Sequence, residues 1–183
     1  MHQFVRLSPE AIDWVSARYR PIEFGPKHAA VVQEGQVFRH MYFVERGVLR
    51  LVNNTGDHEI TEAFFSDDQF AVDFEGFLTQ EPVRRRLEVV EPGTGFFVPH
   101  GDVHTAYERF PEMQMFGRLI AEWAFTQVTL RIEEMNTRTP EERYVRLRDE
   151  RPDLMQRVPQ RMIASYLGIR PESLSRIRRR LRS

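Results

Sequence analysis

The chain has 183 residues, nearly equal numbers of basic and acidic side chains (26 Lys plus Arg, 27 Asp plus Glu) and no cysteine. That length admits one large domain or two small ones, with enough bulk for a real core. The lack of cysteine excludes disulfides, thiolate metal sites and Cys-ligated iron–sulfur clusters. The charge is unevenly spread. From residue 138 onward there are 13 Arg, no Lys and 6 Asp plus Glu, a net of +7, whereas residues 1–137 carry −8. Such asymmetry points to a nucleic-acid-facing tail on an acidic body. The opening MHQFVRLSPE has no apolar core of signal-peptide length, and no later run is long enough to span a bilayer. A cytoplasmic protein with no membrane partner is expected.

In chain order, Ser8 suits a helix N-cap, with Pro9 and Glu10 in the first turn. Ile12, Val15 and Tyr19 line one face, and Pro21 is expected to end the helix. From Ile22 to about Val98 short apolar or alternating runs recur: AAVVQ, MYFVE, VLRLVNN, EITEAFF, RLEVVE and GFFV. Gly35, Gly47, Gly56 and the pair Pro92-Gly93 read as turns between them. Several short strands at this spacing suggest a β-barrel or jelly roll. Phe64, Phe65, Phe70, Phe74 and Phe77 crowd this region, either as core or as the wall of an apolar effector pocket; core is the preferred reading.

His100, His104 and Glu108 follow at helical spacing, the geometry of a metal pair on a helix face. His40 and His58 supply no further ligand spacing. No nucleophile, base and oxyanion pattern and no phosphate loop is present, so neither a metal site, a catalytic residue nor an enzyme of the cupin kind is expected. Pro111 to about Asn136 forms a long apolar helix. Phe116, Ile120, Trp123 and Leu130 fall broadly on one side, and Leu119, Phe125, Val128 and Ile132 widen the apolar surface. One face can cover the β-domain, and the excess wants a second partner. Thr139, Pro140 and Glu142 make a capping box. Pro152 ends the helix they start, and no strand pattern lies between Asn136 and Val158.

The last stretch, VPQRMIASYLGIRPESLSRIRRRL, reads as two short helices around a tight turn. Pro159 opens the first helix, and Met162, Ile163, Tyr166 and Leu167 form its stripe. Ala164 is small enough for a crossing helix, Gly168 supplies a left-handed turn, and Pro171 opens the second helix. Leu174, Ile177 and Leu181 are expected to face inward. The opposite face carries Glu172, Arg176 and Arg179, flanked by Ser175 and Arg180. Such a surface suits a helix in the DNA major groove, with Arg for guanine or phosphate, Glu for cytosine and Ser for phosphate. The order of small, glycine and apolar positions fits a helix-turn-helix. A plain αα-hairpin with a solvated basic face, and Glu172 with Arg176 as a simple helix pair, is the alternative.

PESLSRIRRRL after IASYLGI, preceded by TPEERY and QRVPQ, closely resembles the C-terminal end of Crp/Fnr-type (catabolite-activator-like) transcription regulators. It looks most like the branch common in Bacteroidetes-type bacteria. GQVFRHMYFVERGVLRLV is similar to that family's cyclic-nucleotide-binding-like β-roll. The resemblance places Glu172 and Arg176 on the family's base-reading Glu and Arg, while Pro171 stands where many members have Arg. It implies DNA as partner, a homodimer through the long helix, and contact with RNA polymerase. Members that bind cyclic AMP carry Gly-Glu-Leu and then Arg-Ser/Thr-Ala. Here the corresponding FAVDFEGFLTQEPVRRRLEV has Asp73 and Glu75 but no Gly-Glu-Leu, and Val83 near the phosphate Arg. On a strand, Arg84 and Arg86 share a face. Asp73, Glu75, Arg84 and Arg86 are therefore the candidate effector pocket, for an unidentified small molecule rather than cyclic AMP bound in the usual way.

The expected class is α+β: an N-terminal β-roll (jelly-roll) sensor over 1–110, a dimerisation helix over 111–136 and a helix-turn-helix domain over 137–183. Glu172, Arg176, Arg170 and Arg179 are expected to read bases. Ser173, Ser175, Arg178, Arg180 and Arg182 are expected to hold phosphates. The competing reading is a β-roll small-molecule-binding protein whose helical tail makes protein contacts instead.

Overall fold

The computed structural model describes residues 5–56 and 58–181. Helix α1 (Pro9–Ser16) is capped by Ser8, whose Oγ accepts from the Ala11 N–H at 3.2 Å. The helix ends at Ser16 without help from Pro21, which lies instead in strand β1 (Arg20–Phe24). Among the described residues that strand is the edge of the sheet and pairs only with β6. An edge tolerates proline because one row of its N–H groups needs no partner.

The sheet then adds β2 (Ala30–Val32), β3 (His40–Asn54), β4 (Glu59–Phe65), β5 (Gln69–Ala71) and β6 (Arg85–Pro99), with a short helix α2 (Phe74–Thr79) before β6. Every pairing is antiparallel. The 15-residue strands β3 and β6 lie side by side, β4 and β5 pair with successive halves of β3, and β1 and β2 with those of β6. Two positions expected to be turns are bends within these long strands. Gly47 sits inside β3 at φ +116°, and Pro92-Gly93 lies opposite it inside β6, where the register slips. A Cβ on Gly93 would stand 1.9 Å from the Arg46 carbonyl oxygen. Bulges of this kind increase twist and let a sheet curl on itself. Gly35 does occupy a turn, at φ +81°.

One face of the curled sheet is the inside of the roll. Leu49, Leu87 and Val89 point there and join Phe24, Phe38, Val44 and Phe77 in the core. Phe65, Phe70 and Phe74 pack against it, so the phenylalanine crowding is core. The alternate residues Val48, Arg50, Glu88 and Val90 must face the other way. After Pro99 the described residues are helical: α3 (His100–Arg109), α4 (Pro111–Thr137), α5 (Pro140–Glu150), α6 (Pro152–Arg157), α7 (Gln160–Tyr166) and α8 (Pro171–Arg180). The capping box of α5 is formed. Thr139 Oγ1 accepts from the Glu142 N–H, and the Glu142 carboxylate accepts from the Thr139 N–H at 2.8 Å.

The C-terminal helices bury Tyr144, Leu147, Leu154, Met162, Ile163, Leu167, Leu174 and Ile177 in a second core. That core is completed by Val48, Phe64 and Val90 from the sheet. The helical head therefore sits directly on the outer face of the roll.

Gly93→Ala should lower the unfolding free energy by about 1–3 kcal/mol, because the new methyl meets backbone that cannot step aside. Gly101→Ala, where a Cβ meets nothing within 4 Å, should lose none; urea unfolding of the two variants compares them.

Candidate nucleic-acid interface and sensor face

The α7–α8 turn is built by small residues. Pro159 stands one position earlier than expected, as the cap before α7. Ala164 is fully buried, which lets α8 cross close by. Gly168 has φ +67°; its N–H donates to the Ser165 carbonyl, and the Ile169 N–H donates to the Ala164 carbonyl at 3.0 Å. A Cβ at Gly168 would also stand 2.7 Å from the methyl of Met135 on α4. The turn thus needs glycine for its backbone, and a side chain there would also have to push the Met135 methyl aside. Arg170 caps α8 and Pro171 takes its first position. Leu174 and Ile177 are buried, whereas Leu181 is 38% exposed rather than inward-facing.

Glu172, Ser175, Arg176 and Arg179 lie together on the solvent side of α8, and Arg170 and Arg180 are exposed beside them. Ser173 and Arg178 flank this face and are half-buried. Arg176 donates to Ser173 Oγ at 3.2 Å, which steers the guanidinium. Arg180 pairs with Glu141 on α5. Arg182 lies outside the described residues.

The candidate effector residues do not meet in one place. Arg85, not Arg84 or Arg86, reaches Asp73 and Glu75, at 3.2 and 2.7 Å, and also Glu62 at 2.6 Å. Arg84 is exposed. Arg86 turns to the outer face and pairs with Glu59 and Glu88. The correction has a simple cause: β6 alternates sides, and Arg85 shares the inner side with Leu87. His100 and His104 stack with ring centroids 4.3 Å apart on α3. Burial, and then His104, lowers the pKa of His100. Among the described residues no group of three or more His, Asp or Glu is placed to hold a metal ion.

The outer face carries polar residues that the sequence reading missed. Arg50 and Glu88 are register partners across β3 and β6, and both are buried. Arg50 also donates to Thr61 Oγ1 and to Glu59. With His28, Arg86, Arg161, Met162 and Ser165, residues Arg50, Glu59 and Glu88 line a cavity of about 490 Å³ between the sheet and α7. Ser165 Oγ accepts from the Thr61 N–H at 2.9 Å and donates to the Glu59 carbonyl at 2.8 Å. At the other end of the seam Arg157 donates to Asp67, Glu91 and the Gly47 carbonyl. On α4, Arg131 stacks over Tyr166 and donates to its carbonyl, and Tyr166 in turn packs on Phe64. A signal for part of this was present: Arg50 in VLRLV and Glu88 in RLEVV are opposite charges set inside apolar strands.

No protein-family model matches the chain, and a search of curated proteins returns no match. Solved structures do match. FixK2 from Bradyrhizobium japonicum aligns at 15% identity and TM-score 0.75, over 90% of this chain and 84% of that one. A putative transcriptional regulator of the Crp/Fnr family from Eubacterium rectale aligns at 14% and 0.74, over 96% and 84%. The Thermus thermophilus catabolite activator protein aligns at 17% and 0.59, over 96% and 84%. The chain has the Crp/Fnr fold. Its β-roll, long helix and helix-turn-helix are the three parts of that architecture.

Burial pushes the Glu88 carboxyl up, but His28, Arg50 and Arg86 outweigh it and hold it below the usual carboxylate range. Hydrogen bonding from Arg157 leads the lowering of Asp67. A carboxylate whose folded pKa lies below its unfolded one adds stability above the unfolded value and loses it as pH falls through the folded value. Urea unfolding from about pH 6 down to about pH 3 should therefore show stability falling. Glu88→Gln should start lower and fall less over the same interval.

Proposed function

We propose that the protein is a DNA-binding transcription regulator of the Crp/Fnr type, not an enzyme, and acts as a homodimer. The observation that carries this reading is α8: its underside is locked by Leu174 and Ile177, and its free side presents Glu172, Ser175, Arg176 and Arg179. The turn before it has the left-handed glycine a helix-turn-helix needs. Glu172 and Arg176 read bases, with Arg170 and Arg179 beside them, while Ser173, Ser175, Arg178 and Arg180 hold phosphates. The partner is double-stranded DNA, and RNA polymerase is the next partner in line.

The homodimer rests on α4. Of its 27 residues only Met113 is buried, and Phe125, Val128 and Ile132 are 75%, 57% and 58% exposed. Spaced three and four apart, they form a seam for a second helix. Two helix-turn-helix units would then meet two half-sites one DNA turn apart. The sensor does not take cyclic AMP in the usual way in this reading, because Arg85 already engages Asp73, Glu75 and Glu62. Among the described residues no helix is long and apolar enough to cross a membrane, and action in the cytoplasm is part of the proposal.

Titration against the DNA upstream of its own gene and a scrambled duplex, at two salt concentrations, tests the reading. Arg176→Ala should cost about 1–3 kcal/mol and relax preference at one base pair. Arg178→Ala should weaken all sequences alike and reduce the salt slope by about 1. If the parent chain binds both duplexes equally and weakly, the reading fails. Separately, Val128→Arg should convert the species seen by light scattering from dimer to monomer.

A further inference from the structure

The cavity between the sheet and α7 contains a three-residue chain that DNA reading does not use. His28 lies in the β1–β2 loop with its backbone at φ +71°. Non-glycine residues seldom adopt that conformation, and it is held at a cost. Here the loop is sewn to β6. The His28 N–H donates to the Val89 carbonyl at 2.8 Å, and the Val89 N–H donates to the Ala29 carbonyl at 2.9 Å. The result is a fixed imidazole between two domains. Its Nδ1 is 2.9 Å from Glu88 Oε1 on the sheet, and its Nε2 is 3.1 Å from Arg161 Nη2 on α7.

The partners dictate which ring nitrogen faces an acceptor and which faces a donor. A guanidinium can only donate and an ionised carboxylate can only accept. Neutral His28 with its hydrogen on Nδ1 satisfies both. Doubly protonated His28 keeps Glu88 but turns an N–H against the N–H groups of Arg161, and places positive charge against positive charge. Glu88 cannot move to compensate, because Arg50 and Arg86 also hold it. Arg161 can, since it is exposed in the first turn of α7. The other charged groups around the cavity are Arg50 on β3, Glu59 on β4 and Arg86 on β6; Lys27 adjoins His28 in the loop.

We propose that Glu88, His28 and Arg161 form a proton-operated latch that holds α7 on the sheet while His28 is neutral and loosens it when His28 is protonated. The latch stands independently of DNA. Its consequence for DNA rests on the function proposed above: the first helix of a helix-turn-helix crosses the DNA backbone, so a released Arg161 becomes available to phosphate.

Thr61 reports on the latch directly, because its N–H is donated across the seam to Ser165. Amide hydrogen exchange of the full chain, followed by NMR and corrected for the intrinsic pH dependence of exchange, measures its protection between about pH 5 and 8. Protection at Thr61 should fall about two- to tenfold in acid, the worth of one hydrogen bond, while Leu87 in the inner core holds. His28→Gln, which can donate to Glu88 and accept from Arg161 at every pH, should keep Thr61 protection constant. Arg161→Gln, a surface change, should also abolish the response and serves if the first variant fails to fold. Protection that ignores pH in the parent chain, or that falls equally in both variants, overturns the latch. Affinity for one fixed duplex should rise in acid in the parent and not in His28→Gln. If Thr61 responds and affinity does not, the latch stands and its link to DNA is overturned.

Discussion

Arg50 and Glu88 face each other across the two central strands with 4% and 2% of their side chains exposed. Removing two charges from water costs several kcal/mol per ion, and attraction offsets that only with good geometry and further hydrogen bonds. Both conditions hold here: Arg50 spends its donors on Glu88, Glu59 and Thr61, and Glu88 accepts from Arg50, Arg86 and His28. Their position decides how the molecule is assembled. They lie on the outer face of the roll, so whatever covers that face must bring polar groups as well as apolar ones. Helix α7 does both: Met162 supplies bulk, and Ser165 and Arg161 supply hydrogen bonds. An all-apolar helix would leave the Thr61 N–H and the Glu59 carbonyl without their Ser165 partner.

The inner face shows the complementary solution. Arg85 closes over Asp73, Glu75 and Glu62, with Asn53 also donating to Glu62. Charges on one side of β6 thus close the inner side of the roll, and charges on the other side line the cavity under α7. The alternation of a single strand, Arg85, Arg86, Leu87, Glu88, divides the two tasks.

Much of this was legible where the controlling physics is local. The cap of α1, the capping box at Thr139, the left-handed Gly168 and the buried Leu174 and Ile177 each depend on residues within a few positions. The solvent face of α8 follows from the same helical period. What depends on register was misread. Gly47 and Pro92-Gly93 look like turns because glycine and proline mark turns and bulges alike; only the pairing of β3 with β6 tells them apart. The grouping of the effector candidates depends on register in the same way. Arg84 lies at the bend before β6 and Arg86 within it, and which side of the strand faces Asp73 is set by strands that lie far away in sequence. His28 and Arg161 are 133 positions apart, and no short-range pattern links them.

The second core has a consequence for how the chain can be divided. Val48, Phe64 and Val90 belong to the sheet, yet they complete the interior of the helical head. A head expressed as a fragment would lack one wall of its own core and leave Tyr166 and Met162 facing water. A roll cut free of it would expose Phe64 beside a buried ion pair suddenly open to solvent. The two parts are therefore coupled in folding: neither gains its full stability until the other is in place, and heat should melt them as a single cooperative unit.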